Sequence, residues 1–188
     1  MSKPQRKLAT ILATDCVNYS GMMEGDEQET LIGIKACRKI IEDTIIEYGG
    51  RVFNTAGDSV IAEFGSPVDC VNAGIEFQKL ICDRNNIIVD NRRMEFRVGV
   101  HLDDIIVEGD DIFGVGVNIA ARLEGLCEPN CILISKTVHQ HIVKKINTII
   151  ENLGEKTLKN MDDNISVYQI SPASDLEVEL TGGISRWN

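Results

Sequence analysis

Arg51-Val-Phe-Asn-Thr-Ala-Gly-Asp-Ser-Val-Ile-Ala-Glu-Phe64 reads as two strands folded about Ala56-Gly57-Asp58. A Gly-Asp step between two β-rich runs is tight-hairpin chemistry, and it leaves Asp58 at the tip. This hairpin decides the fold, because it interrupts an otherwise alternating order of strands and helices. Upstream, Leu8–Thr14 is a short, nearly continuous apolar run ending at Asp15, the pattern of a buried strand that delivers a carboxylate at its end. Between them, Asp26–Tyr48 is helical in period, with Leu31, Ile34, Ile41, Ile45 and Tyr48 on one broad face and Gly49-Gly50 as the stop.

Downstream, Ser66-Pro67 supplies an N-cap and a first-turn proline, and predicts a helix to about Arg84. Asn85–Arg93 is polar and reads as a loop. A strand pair is predicted at Phe96–Leu102 and Ile105–Glu108, split by Asp103-Asp104. A helix carrying Asn118 and Arg122 follows, then a strand at Cys131–Ile134, a short helix capped by Ser135, and strands near Thr148–Leu153 and Val167–Ile170. Hairpins within the alternation point to an α+β sandwich, with helices on one face of a mainly antiparallel sheet rather than a doubly wound parallel one. Residues 1–172 are read as one domain, and 173–188, which lack periodicity, as a tail or linker.

Composition narrows the function. A chain of 188 residues can bury a real core. With 43% hydrophobic and 26% charged residues, it does not read as disordered. A formal charge of −10 excludes a basic nucleic-acid footprint. An anionic ligand must then be held by local features, such as metal ions and one or two Arg or Lys, against the overall field. The six cysteines (Cys16, Cys37, Cys70, Cys82, Cys127 and Cys131) form no CxxC pair, and most lie in apolar runs, as reduced core residues of a cytoplasmic protein do. The apolar run after Lys7 is broken by Asp15, too early for a signal peptide or a membrane span, so no membrane partner is expected.

Asp15 and Asp58 stand at the ends of predicted strands. If the first strand lies beside the hairpin, the two carboxylates converge into a site for hard divalent cations. Asp58 alone suits turn chemistry equally well. After Asp15, the loop Cys16-Val-Asn-Tyr19-Ser20 leads into a helix, where backbone N–H groups and the Ser20 hydroxyl can meet phosphate. In Asp111-Ile-Phe-Gly-Val-Gly-Val-Asn-Ile-Ala-Ala-Arg-Leu-Glu124, Asn118 and Arg122 are four apart and share a side of their helix. Ile119, Leu123 and Leu126 are read as the apolar stripe beside them. A guanidinium is permanently charged and matches phosphate oxygens. No GxGxxG follows a strand and no GxxxxGK[ST] occurs, so neither a dinucleotide fold nor a P-loop is supported. His101, His139 and His141 have no catalytic partner at suggestive spacing, the first on a strand and the others on a surface helix.

Three spaced motifs, Ala13-Thr-Asp15-Cys-Val-Asn-Tyr-Ser20, Asn54-Thr-Ala-Gly-Asp58-Ser59 and Asp111 to Glu124, together resemble the class III adenylate/guanylate cyclase catalytic domain, in its bacterial homodimeric form. The resemblance runs from about Lys7 to Ile170 and implies a ferredoxin-like βαββαβ core with additions. It implies that Asp15 and Asp58, with the backbone carbonyl of Cys16, bind two Mg²⁺ or Mn²⁺ ions. Asn118 would orient the ribose and Arg122 would neutralise charge building on the α-phosphate. Tyr19, Ser20 and Lys159 would meet the phosphates, and Asn54 and Asp111 would read the base. The metal aspartates and the Asn/Arg helix of one site would come from opposite subunits, giving a homodimer with two shared sites.

One departure concerns the base. Adenylate-forming relatives usually carry Lys where this chain has Asn54. Asn can both donate and accept, and Asp111 can accept from the adenine amine, so the expected reaction is ATP to cyclic AMP and pyrophosphate. Cyclisation of GTP or a pyrimidine triphosphate is the alternative, with a silent nucleotide-binding domain as a third. Silent domains typically lose a metal aspartate or the Asn or Arg, whereas this chain keeps Asp15, Asp58, Asn118 and Arg122. The Gly-Gly-Asp/Glu-Glu-Phe hairpin of diguanylate cyclases is absent.

Overall fold

The computed structural model describes residues 5–109, 111–158 and 164–171. In chain order the elements are β1 (Gln5–Cys16), α1 (Tyr19–Gly25), α2 (Glu27–Glu47), β2 (Arg51–Ala56), β3 (Ser59–Phe64) and α3 (Pro67–Asn85). Then come β4 (Phe96–Glu108), β5 (Asp111–Phe113), α4 (Val115–Leu126), β6 (Ile132–Ser135), α5 (Lys136–Ile142), β7 (Ile150–Thr157) and β8 (Asn164–Ile170). The strands form one sheet in the order β2-β3-β1-β4-β6-β8-β7, with β5 paired to β4. Among the described residues only β4 and β6 run parallel, and every other pair is antiparallel. The first four strands of that order, with α2 and α3 as the crossovers, make the expected βαββαβ core.

Local chemistry sets the element limits. Asp26 caps α2 by accepting from the Glu29 N–H at 3.1 Å, and Ser66 caps α3 from the Asp69 N–H at 3.3 Å. Gly57, with φ of 61°, opens the two-residue loop between Ala56 and Ser59, the place where a tight hairpin needs a residue free of Cβ strain.

Helices lie on both faces of the sheet, not one. Leu12, Val60, Ala62, Phe64, Val98 and Val100 pack under α2, α3 and α5, with Ile34, Ile41, Ile45, Phe77, Ile81 and Val138. On the other face Ala9, Ile11, Ala13 and Ile105 pack against Ala120 of α4. β1 is buried at every position from Ala9 to Thr14, which is why its sequence is apolar without alternation. Gly99 makes room for α4: a Cβ there would stand 2.2 Å from the Ala120 carbonyl oxygen and 2.3 Å from the Glu124 nitrogen.

Four further expectations change. The predicted break at Asp103-Asp104 is absent, and β4 runs through it, paired with Ala9 and Leu8 of β1. The ladder bonds to β1 carry both acids, whose side chains reach solvent. The helix after Asp15, α1, begins at Tyr19, inside the stretch read as a loop, and β5 is a short strand that the sequence does not mark. Leu126 is 50% exposed rather than part of the buried α4 stripe, which is Gly116, Ile119, Ala120 and Leu123. Ser135 occupies the N-cap of α5, but its hydroxyl bonds His101 Nδ1 and Thr137 Oγ1, each at 2.8 Å, instead of a helix N–H. The six cysteines are free, and all but Cys82 are buried. Among the described residues, no helix is long and apolar enough to cross a membrane.

Candidate active site

β1 pairs with β3 on one side and with β4 on the other, and this pairing gathers the candidate site at the end of β1. Asp15 sits one residue before the strand ends, and Asp58 stands in the hairpin loop beside it. The Cys16 N–H donates to Asp58 Oδ2 at 3.2 Å, and the Ser59 hydroxyl donates to Asp15 Oδ1 at 2.8 Å. From the α2 side Arg38 donates to the Gly57 carbonyl and ties the hairpin tip down. The two aspartates expected to converge do so.

Their convergence has an electrostatic cost. Burial pushes the Asp58 carboxyl up to about 6, and the neighbouring Asp15, as a hydrogen-bond partner and as a like charge, adds to the rise. The Cys16 thiol is pushed to about 12, first by burial and then by Asp58, so its sulfur stays protonated.

Arg97 and Glu124 belong to the same cluster; Glu124 closes the motif that starts at Asp111 but has no role assigned from the sequence, and no local pattern marks Arg97. Arg97 is the cross-strand partner of Asp15, and its Nη2 lies 3.4 Å from Asp15 Oδ2. Its Nε lies 3.1 Å from Glu124 Oε1, reaching up from β4 to α4. Neither Nε nor Oε1 has a hydrogen-bond partner despite that distance, so the contact is coulombic and off the N–H axis. Burial lifts the Glu124 carboxyl to about 7; Arg97 opposes the rise, and Asp15 and Asp58 add to it. The signal that finds Arg97 is the β1–β4 register, a tertiary quantity.

Asn118 and Arg122 lie on the outer side of α4, Asn118 exposed and Arg122 half-buried. Among the described residues neither has a side-chain hydrogen bond or ion pair, to the aspartates or to anything else. Apolar side chains flank them: Val115 is 61% exposed, Leu126 50%, and Phe113 on β5 51%. Asn54 is exposed on β2, just past a register shift at Phe53, and Asp111 is exposed at the start of β5, which lies against β2. Tyr19 and Ser20 open α1, Tyr19 half-buried against the core and Ser20 exposed. Lys159 and residues 173–188 lie outside the described residues. Among the described residues, no group of three or more His, Cys, Asp or Glu side chains comes together in metal-holding geometry. The aspartate pair supplies two carboxylates, the number Mg²⁺ commonly takes from protein.

Residues 1–172 match the family model of the adenylate and guanylate cyclase catalytic domain. A putative adenylate cyclase 3 of Rhizobium meliloti is 37% identical over 169 residues, covering 89% of this chain and 29% of the relative. An adenylate cyclase of Streptomyces coelicolor is 25% identical over 140 residues, 74% of this chain and 35% of the relative. The chain thus spans only about a third of the length of such curated relatives. Among solved structures, an adenylate/guanylate cyclase/hydrolase from Silicibacter pomeroyi superposes with a TM-score of 0.85 at 34% identity, covering 90% of this chain and 99% of that one. The adenylyl cyclase CyaB from P. aeruginosa shares the fold, with a TM-score of 0.80 at 22% identity over 90% of this chain and 96% of that one.

Proposed function

This chain belongs to the adenylate and guanylate cyclase catalytic domain family, and on that premise we propose that it converts ATP to 3′,5′-cyclic AMP and pyrophosphate at sites shared by two copies. One observation carries the reading: Asp15 and Asp58 are gathered into one tight pair, while Asn118 and Arg122 face outward with no partner among the described residues.

The aspartate pair fits divalent cations. Two carboxylates pressed together, one of them lifted to about 6, are an arrangement that a hard cation relieves by supplying positive charge. Bound there, Mg²⁺ or Mn²⁺ would lower the pKa of the ribose 3′-hydroxyl and balance charge on the phosphates. Asp15 and Asp58 would hold two such ions, with the Cys16 carbonyl as a further ligand. Tyr19 and Ser20, at the start of α1, would contact the phosphates together with Lys159.

Asn118 would orient the ribose. Arg122 would meet charge that grows on the α-phosphate only as the reaction proceeds, so it should act on turnover more than on binding. Both would serve the aspartate pair of a second copy. Support comes from the exposed apolar residues Phe113, Val115 and Leu126 flanking them, which a self-complementary dimer would cover. In reading the base, Asp111 would accept from the adenine amine and Asn54 would donate to a ring nitrogen. Asn54 is able to accept as well, which favours some use of GTP. Two curated relatives carry adenylate cyclase in their names, in line with ATP.

The test is cyclic nucleotide formation from ATP, GTP, CTP and UTP, with Mg²⁺ and with Mn²⁺. ATP should turn over fastest. Exclusive use of GTP or a pyrimidine triphosphate would overturn the base assignment, and inertness toward all four would overturn the activity.

A further inference from the structure

One guanidinium serves two acids at the end of β1. Arg97 lies between Asp15, its neighbour across the β1–β4 ladder, and Glu124 on α4. The two contacts are unequal: 3.1 Å to Glu124 and 3.4 Å to Asp15. Glu124 is also the more enclosed acid, with its side chain 14% exposed against 25% for Asp15. Its backbone is pinned, because the Glu124 nitrogen lies against Gly99 with no room for a Cβ between them. Nε of Arg97 and Oε1 of Glu124 are buried without a hydrogen bond, while Nη2 donates to Asp15 Oδ2 at 3.4 Å, at the long limit of such a bond, so neither acid locks the guanidinium in direction.

Resting on the two-cation reading of Asp15 and Asp58, we infer that Glu124 is a positioning residue that sets the cation affinity of that pair by drawing Arg97 away from Asp15. A guanidinium and a divalent cation compete for the same carboxylate. While Arg97 covers Asp15, the pair is not ready for a cation, and apparent affinity falls with the fraction that is ready. Glu124 attracts Arg97 to the other side and keeps that fraction high. Without the charge of Glu124, Arg97 closes from its present 3.4 Å bond onto Asp15, and the cation has to displace it. Glu124 needs no contact with the ion for this.

Mn²⁺ titrations of the metal-free full chain without nucleotide, read by the electron paramagnetic resonance of free Mn²⁺, test the idea. Wild type is compared with Glu124→Gln, Arg97→Gln and the double variant. Glu124→Gln should weaken Mn²⁺ binding about fivefold, and less than about twofold when Arg97 is already Gln, as expected for neighbours that act through each other. An unchanged Kd in Glu124→Gln overturns the inference. So does an equal loss in both backgrounds, which would make Glu124 a distant charge acting without Arg97. Should Glu124→Gln unfold, Glu124→Asp carries the same comparison, with a smaller loss that again vanishes beside Arg97→Gln. Asp58→Ala separates the two levels. If it binds Mn²⁺ as wild type does, the two-carboxylate reading falls and this inference with it; if Mn²⁺ binding needs Asp58 but ignores Glu124, only this inference falls.

Discussion

The end of β1 and the outer side of α4 are built in opposite ways. At the first, both carboxylates have partners within the chain: Asp15 has Ser59 and Arg97, and Asp58 has the Cys16 N–H. At the second, Asn118 and Arg122 have none among the described residues. Yet α4 is among the most firmly seated elements, with Ala120 and Leu123 fully buried and its backbone against Gly99. A helix held rigidly by one side while presenting bare polar groups on the other is pre-organised for something outside the chain. A carboxylate pair held together against its own repulsion is pre-organised for positive charge. The two regions are complementary in chemistry, but no hydrogen bond or ion pair joins the aspartates to Asn118 or Arg122 within the described chain.

Breaking the carboxylate side should have the largest effect. Asp58→Ala should lower cyclase turnover by about 10³-fold or more, since even outer partners of a metal site cost about 10- to 100-fold. Arg122→Ala should lower kcat by roughly 10²–10³-fold with little change in KM, the signature of a group that acts on transition-state charge. A change in KM alone would contradict that role. Mixing the two inactive proteins sharpens the comparison: random pairing puts one intact site in about half of the dimers, restoring roughly a quarter of wild-type activity. Proven heterodimers with no activity would show that the two regions do not meet across an interface.

Smaller effects probe the seat of α4 and the strain in the pair. Gly99→Ala should destabilise the fold by about 1–3 kcal/mol or more, because its methyl would collide with backbone rather than with a side chain that can move. Denaturant midpoints would measure it. Asp58 has a folded-state pKa raised above its ordinary value of 3.8 to about 6. Between those values the folded chain holds more protons than the unfolded one, so metal-free stability should fall as pH rises from about 4 to about 6. Glu124, raised from 4.5 to about 7, extends the decline toward neutrality. Asp58→Asn should therefore gain on the order of 1 kcal/mol at pH 7 without metal, once solvent screening of a partly exposed group is allowed for. Divalent cation should erase the gain, and thermal melts across pH would show both.

Much of this molecule was legible from one dimension. The hairpin at Gly57-Asp58, the caps at Asp26 and Ser66 and the i, i+4 pair of Asn118 and Arg122 are local facts, set by turn chemistry and helical period. The gathering of Asp15 and Asp58 followed from one further step, placing the first strand beside the hairpin. What the tertiary structure alone decided is everything that depends on strand register and on which face a helix chooses. Asp103-Asp104 continues β4 because β1 supplies the ladder. Leu126 lies outside the core because α4 turns its Ile119–Leu123 side inward. Arg97 and Glu124 join the site because Arg97 falls opposite Asp15. A slip of one residue in that register would send Arg97 to the other face of the sheet, and no local pattern in the chain records which register is taken.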